Sequence, residues 1–144
     1  MIEVKSYQSI NCIDFDSEQT YVISLFGAPD CRSINREKEV KFHFRDFILR
    51  FDANSGGLRE CTLLPGCNAK VNGYSVEWFD GFLNWLALED GDLKEVYGFV
   101  LSLKLGLAVT GFHDGDESQK AIHAFRHGDW DMFLGEMKPF KLPS

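Results

Sequence analysis

Residues 110–120 read Thr-Gly-Phe-His-Asp-Gly-Asp-Glu-Ser-Gln-Lys, gathering three carboxylates, an imidazole and an ammonium within the eight residues from His113 to Lys120. Gly111 and Gly115 let this peptide bend and come close to a partner. A polar knot hung on the end of an apolar strand is where a binding or reactive site would sit. Two chemistries fit the residue types. Asp114, Asp116 and Glu117 offer hard oxygen ligands to a divalent cation, with His113 acting as base. Alternatively, the same three carboxylates form a recognition surface for a basic partner, joined by Trp130 and Asp131, where a tryptophan stands between carboxylates after a turn. The plain reading is a solvated turn in which Asp114 and Ser118 serve the backbone.

No complete catalytic motif accompanies the knot. An EF-hand loop from Asp114 places Asp116 third and Ser118 fifth as required, but Gln119 and Phe125 stand where Gly and Glu are needed. On a strand, consecutive residues point to opposite faces, so His113, Asp114, Asp116 and Glu117 converge on a metal only from a loop. His123 and His127 are spaced for a metal on a helix. A strand or turn is favoured there, so both read as surface histidines. Cys12, Cys31, Cys61 and Cys67 form no CxxC pair and no zinc spacing, and read as reduced, mostly buried thiols. The nucleophile elbow, the P-loop and the dinucleotide fingerprint are all missing from the sequence. The expectation is therefore a non-enzyme with no catalytic residue, no metal and no cofactor.

Composition narrows the partner. The chain has 144 residues, 44% hydrophobic and 14% aromatic, enough to bury one substantial core in a single domain over 1–144. Its net charge of −7 argues against nucleic acid and anionic membranes, which repel it, and suits a partner with a basic face. The aromatic residues, with few basic neighbours, read as core rather than as base-stacking platforms. The longest apolar run, 96–112, is broken by Ser102, Lys104 and three glycines, short of the roughly 20 apolar residues of a membrane span. The start Met1-Ile2-Glu3-Val4-Lys5 lacks the pattern of a signal peptide, so a cytoplasmic location is expected.

The elements that must position the knot follow from periodicity. Residues 17–26 read as a helix capped by Asp16, with a stripe of Tyr21, Val22, Leu25 and Phe26, stopped by Gly27 and Pro29. Val40, Phe42 and Phe44 alternate with polar residues, then Phe47, Leu49 and Phe51 do so on the other parity. A turn or bulge is therefore required at Arg45-Asp46. A turn at 54–57 leads to a strand over 58–64. Strands 69–71 and 74–76 flank Asn72-Gly73, the favoured type I′ pair. Residues 77–89 form a second helix, with Phe79, Phe82, Leu83 and Leu86 at i, i+3, i+4 and i+7. Strand follows over 97–112 with a turn at 104–106, then a strand or short helix at 121–126 and a turn at 127–129. The tail 132–140 either docks through Phe133 and Phe140 or frays. Strands outnumber helices without alternating with them. The class is α+β, a largely antiparallel sheet with two main helices packed on it.

The run Leu25-Phe26-Gly27-Ala28-Pro29-Asp30 after a helix, the aromatic strands over 42–51 and the stretch from Gly106 to Ile122 together resemble small bacterial immunity proteins encoded beside polymorphic and contact-dependent inhibition toxins. The resemblance covers about 16–130, and 110–122 is its most specific part. It implies a cytoplasmic protein that binds and neutralises a cognate toxin domain, with no catalytic residue to carry over. A basic nuclease toxin would suit an acidic surface that imitates the nucleic-acid backbone. The competing readings are a metal-dependent enzyme or ligand-binding domain at His113, Asp114, Asp116 and Glu117, and a housekeeping interaction module.

Overall fold

The computed structural model describes residues 1–143. In chain order the elements are β1 (Ile2–Lys5), β2 (Ser9–Ile10), β3 (Ile13–Asp14), α1 (Gln19–Phe26), β4 (Cys31–Ile34), β5 (Val40–His43), β6 (Phe47–Phe51) and β7 (Leu58–Leu63). They continue as β8 (Ala69–Val71), β9 (Tyr74–Ser75), α2 (Gly81–Glu89), β10 (Lys94–Val96), β11 (Phe99–Ser102), β12 (Leu107–Thr110), β13 (Ala121–Phe125) and β14 (Lys138–Pro139). Two sheets result. A nine-stranded sheet runs β14-β10-β11-β12-β13-β7-β6-β5-β4, antiparallel throughout, and a smaller one runs β3-β2-β1-β8-β9. In the smaller sheet β1 and β8 pair in parallel. The fold is α+β with largely antiparallel sheets, as the patterning predicts.

Register decides what each face of the large sheet carries. Val100, Val109, Ile122 and Leu63 lie side by side across β11, β12, β13 and β7, while Leu101, Ala108, His123 and Thr62 form the next row. Neighbouring rows point to opposite faces. The first face, with Phe42, Leu49 and Leu63, builds the main core against Val4 and Val71 of the small sheet, Val22 of α1 and Phe82 and Leu86 of α2. Each fully buried side chain of this size stabilises the fold by about 1.5–3 kcal/mol. The second face is partly covered by Trp130, Phe133 and Tyr7, which close over Leu101, Ala108 and Phe125.

The parity switch resolves as a hairpin: Phe44 N–H bonds to the Phe47 carbonyl, and the two rings stack with centroids 4.6 Å apart. Asn72 and Gly73 both take positive φ, 49° and 85°, as a type I′ turn demands. Residues 121–125 are strand, and the tail docks through both Phe133 and Phe140.

Both helices start later than expected. In the first, residues 16–18 run alongside Gly57 and Leu58: Asp16 N–H bonds to the Leu58 carbonyl, and Leu58 N–H bonds to that of Ser17. Asp16 has φ 74° and its carboxylate holds Arg126, so it caps nothing, and α1 begins at Gln19 without a side-chain cap. Tyr21 and Leu25 of the expected buried stripe are exposed. In the second, the Glu77 carboxylate accepts from the backbone N–H groups of Phe79 and Gly81, which bends 77–80 into a turn and delays α2 to Gly81. A Cβ on residue 81 would lie 2.6 Å from Oε2 and 3.0 Å from Cβ of Glu77, so a larger residue there would have to displace that side chain. The thiols divide evenly rather than being mostly buried: Cys61 and Cys67 are buried, Cys12 and Cys31 exposed, and all four are free. No helix among the described residues is long and apolar enough to cross a membrane.

Candidate functional site

The acidic loop is built on its own side chains. It leaves β12 at Gly111, whose φ is +82° and where a Cβ would stand 2.5 Å from the Lys120 backbone. Asp114 Oδ1 accepts from Asp116 N–H, and Asp116 Oδ1 accepts from both the N–H and the hydroxyl of Ser118 at 3.1 and 2.6 Å. Thr110 Oγ1 donates to the Gln119 carbonyl across the neck of the loop. Asp114, Asp116 and Glu117 remain exposed to solvent. Two of the three carboxylates therefore order the loop as well as charging it.

Lys120 at its end is buried, only 6% exposed. Its Nζ donates to the Trp78 carbonyl at 2.8 Å and to Glu117 Oε1 at 2.9 Å, and lies 4.8 Å from the centre of the Phe112 ring. The ammonium thus faces inward and couples the loop to the 77–80 turn. That turn presents Phe79, 75% exposed, with Glu77 and Asp80 exposed on either side. The two backbone N–H groups received by Glu77 hold its carboxyl below the usual range. The result is an exposed aromatic with the exposed carboxylates of Glu77 and Asp80 beside it in the chain and the Lys120 ammonium, held by Glu117, 5.9 Å from its ring centre. Beside it opens a groove of about 480 Å³ whose walls include Phe79, Asp80, Phe112, His113 and Phe140.

The cation set of the alternative reading, His113 with Asp114, Asp116 and Glu117, is not drawn together. His113 packs edge-on against Phe140 with its Nδ1 buried and unpartnered, while Ser118 occupies Asp116 and Lys120 occupies Glu117. Among the described residues no three His, Cys, Asp or Glu side chains come together as metal ligands. Nor do the histidines converge: His123 bonds to Thr62 Oγ1, and His127 stacks on Tyr7.

Trp130 and Asp131 lie elsewhere. Trp130 is half-buried on the second face of the large sheet, its ring 5.1 Å from Phe99 and 5.4 Å from Phe133, with Asp131 exposed beside it. Between them and the loop is a depression of about 360 Å³ bordered by Phe99, Thr110, Ser118, Gln119 and His123. The five residues expected to meet a partner therefore fall into two groups, Asp114, Asp116 and Glu117 on the acidic loop and Trp130 and Asp131 at the second face of the large sheet, and none of them lines this depression.

Sequence reasoning missed two features. One is Phe79, whose apolar spacing reads as core until the Glu77 turn displaces it. The other is an ion-pair lattice on the second face. Arg50 joins Glu39 and Glu60, Arg59 joins Glu39 and Asp129, and Arg126 joins Asp129, Asp52 and Asp16. Burial works to raise the Glu60 carboxyl, but His123 and Arg50 hold it down to about 2. The sequence signal was slight: Arg50 between Leu49 and Phe51, and the pair Arg59-Glu60 between Leu58 and Cys61. Comparison with protein-family models, with curated proteins and with solved structures found no match.

Proposed function

We propose that this chain is a binding protein of the immunity type, which engages a basic toxin domain through the carboxylate rim around Phe79. The carrying observation is Phe79 itself: a large aromatic, 75% exposed, with exposed Glu77 and Asp80 beside it in the chain, while the one ammonium near its ring, that of Lys120 at 5.9 Å from the ring centre, is bonded to Glu117 and the Trp78 carbonyl. A central aromatic anchor with a charged rim is the anatomy of a protein-recognition hot spot. The rim's negative charge, within a chain of net charge −7, steers a basic partner and repels nucleic acid. Asp114 and Asp116 extend that field along the loop they order, and Trp130 with Asp131 stands apart from it on the second face of the large sheet.

The test is the neighbouring gene and its product. A large secreted protein with a variable C-terminal domain, encoded next to this chain, supports the reading when that purified domain forms a one-to-one complex with it. The complex should weaken steeply with salt and lose affinity in Phe79→Ala. An adjacent domain that does not bind, or a metabolic setting with no toxin gene nearby, overturns it.

A further inference from the structure

Lys138 and Pro139 form β14, the outermost strand at one end of the large sheet, and it is only two residues long. Its register sets Lys138 opposite Glu95 and Pro139 opposite Lys94 of β10. Pro139 has no N–H to give the ladder. Phe140 N–H then bonds to the Leu93 carbonyl at 2.9 Å, and beyond it no backbone hydrogen bond joins 141–143 to the other described residues. Two half-buried side chains anchor the segment instead. Phe140 and Leu142 pack on the main core, and Phe140 meets His113 edge-on. Two hollows border it, one of about 480 Å³ shared with Phe79 and Asp80, the other of about 170 Å³ shared with Ala87, Asp90 and Leu93. Few backbone bonds, two anchors and open space alongside put this segment at the low end of local stability.

The segment is basic and its surroundings are acidic. Lys138 stands across the ladder from Glu95, and Lys141 lines both hollows, one with Asp80 and the other with Asp90. The lysines that form ion pairs among the described residues are Lys94 and Lys120, so both ammonium groups of the segment lie outside any pair. We infer that 138–143 is a displaceable strap, an internal stand-in for the partner of the neighbouring Phe79 surface. The occupant it stands for is an extended basic segment of the partner, with an aromatic and an aliphatic residue two positions apart.

Alternate side chains of an extended peptide point the same way, so the Phe-x-Leu pair enters as a unit while Lys141 between them stays exposed. The partner's segment takes the places of Phe140 and Leu142 and the backbone bond to Leu93, and its cations meet Glu95 and Asp80. The wall it reaches includes Phe79, so the strap and the exposed ring border one groove. While the strap is down, the partner's apparent affinity falls by the fraction of chains that are open. The identity of the occupant rests on the binding reading above; the strap itself does not.

An end-blocked peptide of residues 138–143, Lys-Pro-Phe-Lys-Leu-Pro, tests the strap without any toxin. It is titrated by NMR into the full wild-type chain and into full-length Phe140→Ala/Leu142→Ala, whose own segment has lost its anchors. The variant should bind the peptide about tenfold more tightly or better, with shifts gathered at 79–84 and 112–113, because the internal competitor is gone. The same peptide carrying Lys138→Glu/Lys141→Glu should lose that binding. Amide exchange of the wild type needs no variant: Phe140 N–H should exchange on the order of a hundredfold faster than the amides of β11 and β12. Equal affinity for the two chains, no binding to the variant, or a Phe140 amide protected like those of β11 and β12 overturns the strap. Peptide binding that behaves as expected, beside a toxin complex that Phe79→Ala leaves unchanged, supports the strap and removes the toxin reading alone.

Discussion

Lys120 donates from Nζ to the main-chain carbonyl of Trp78, 42 residues away, while also holding Glu117 three residues back. This single ammonium joins the two halves of the acidic surface, and it is among the few buried charges in the molecule. Lys120→Met keeps the aliphatic length beneath Phe112 but leaves the Trp78 carbonyl without a donor and Glu117 without a partner. Abandoning a buried acceptor costs about 1–3 kcal/mol. The expected outcome is a lower urea midpoint with an unchanged denaturant slope, and faster amide exchange confined to 77–80 and 111–120. A midpoint equal to that of the wild type would show that the loop stands without this link.

Phe79 should behave in the opposite way. Its ring is mostly in water, so Phe79→Ala should change folding stability by no more than about 0.5 kcal/mol. If the ring anchors a partner, the same substitution should speed dissociation and weaken the complex by about 2 kcal/mol or more. Glu77→Gln would slow association instead, as expected for a rim charge. Thermal melting together with binding kinetics on the adjacent-gene domain separates the two effects. A melting temperature that collapses in Phe79→Ala would place the ring in the core and remove the hot spot.

What the sequence disclosed and what it withheld divide along local and non-local chemistry. The Phe42–Phe51 hairpin, the Asn72-Gly73 turn and the strand at 121–125 were legible because alternation and turn residues act within a few positions. The start of α1 was not, since Gly57 and Leu58 claim the backbone of residues 16–18 from 40 residues away. Phe79 fitted the helical period, and only the Glu77 carboxylate bending the preceding turn takes it out of the helix. The acidic loop was visible as composition, but not its inward-facing lysine. The lattice of Arg50, Arg59 and Arg126 spans partners up to 110 residues apart, which no spacing rule reaches.

Gly111 tests whether the loop is as closely built as its hydrogen bonds imply. Its φ of +82° favours glycine, and an added Cβ would collide with the Lys120 backbone at 2.5 Å and the Asp116 carbonyl at 2.6 Å. Gly115 has a similar φ of +69° but open space around it. Gly115→Ala therefore isolates the backbone strain, about 1–2 kcal/mol for one left-handed residue. Gly111→Ala should exceed it clearly, because main chain on both sides must move. Urea unfolding of the two variants compares them directly. Equal losses would mean that the loop yields without resistance.

Acid stability should report on the lattice around Glu60. Its carboxyl is held at about 2 in the folded chain by His123 and Arg50, against an ordinary 4.5. The folded pKa is depressed, so ionised Glu60 stabilises the fold fully above about pH 4.5, and this contribution fades as pH falls toward 2. At about 1.4 kcal/mol per unit the full effect is on the order of 3 kcal/mol, shared among the coupled partners. Glu39 adds to the same trend, since Asn35, Arg50 and Arg59 pull its carboxyl down against the effect of burial. Glu60→Gln should consequently lower stability at pH 7 and flatten the dependence between pH 4.5 and 2. Arg50→Met should do more harm at pH 7, where it strands Glu39 and Glu60 as ionised neighbours without their shared cation, and less at pH 3, where both can take up protons. Urea titrations of the three proteins across pH 2–8 check this. Parallel stability curves for wild type and Glu60→Gln would show that the ion pairs do not govern acid unfolding.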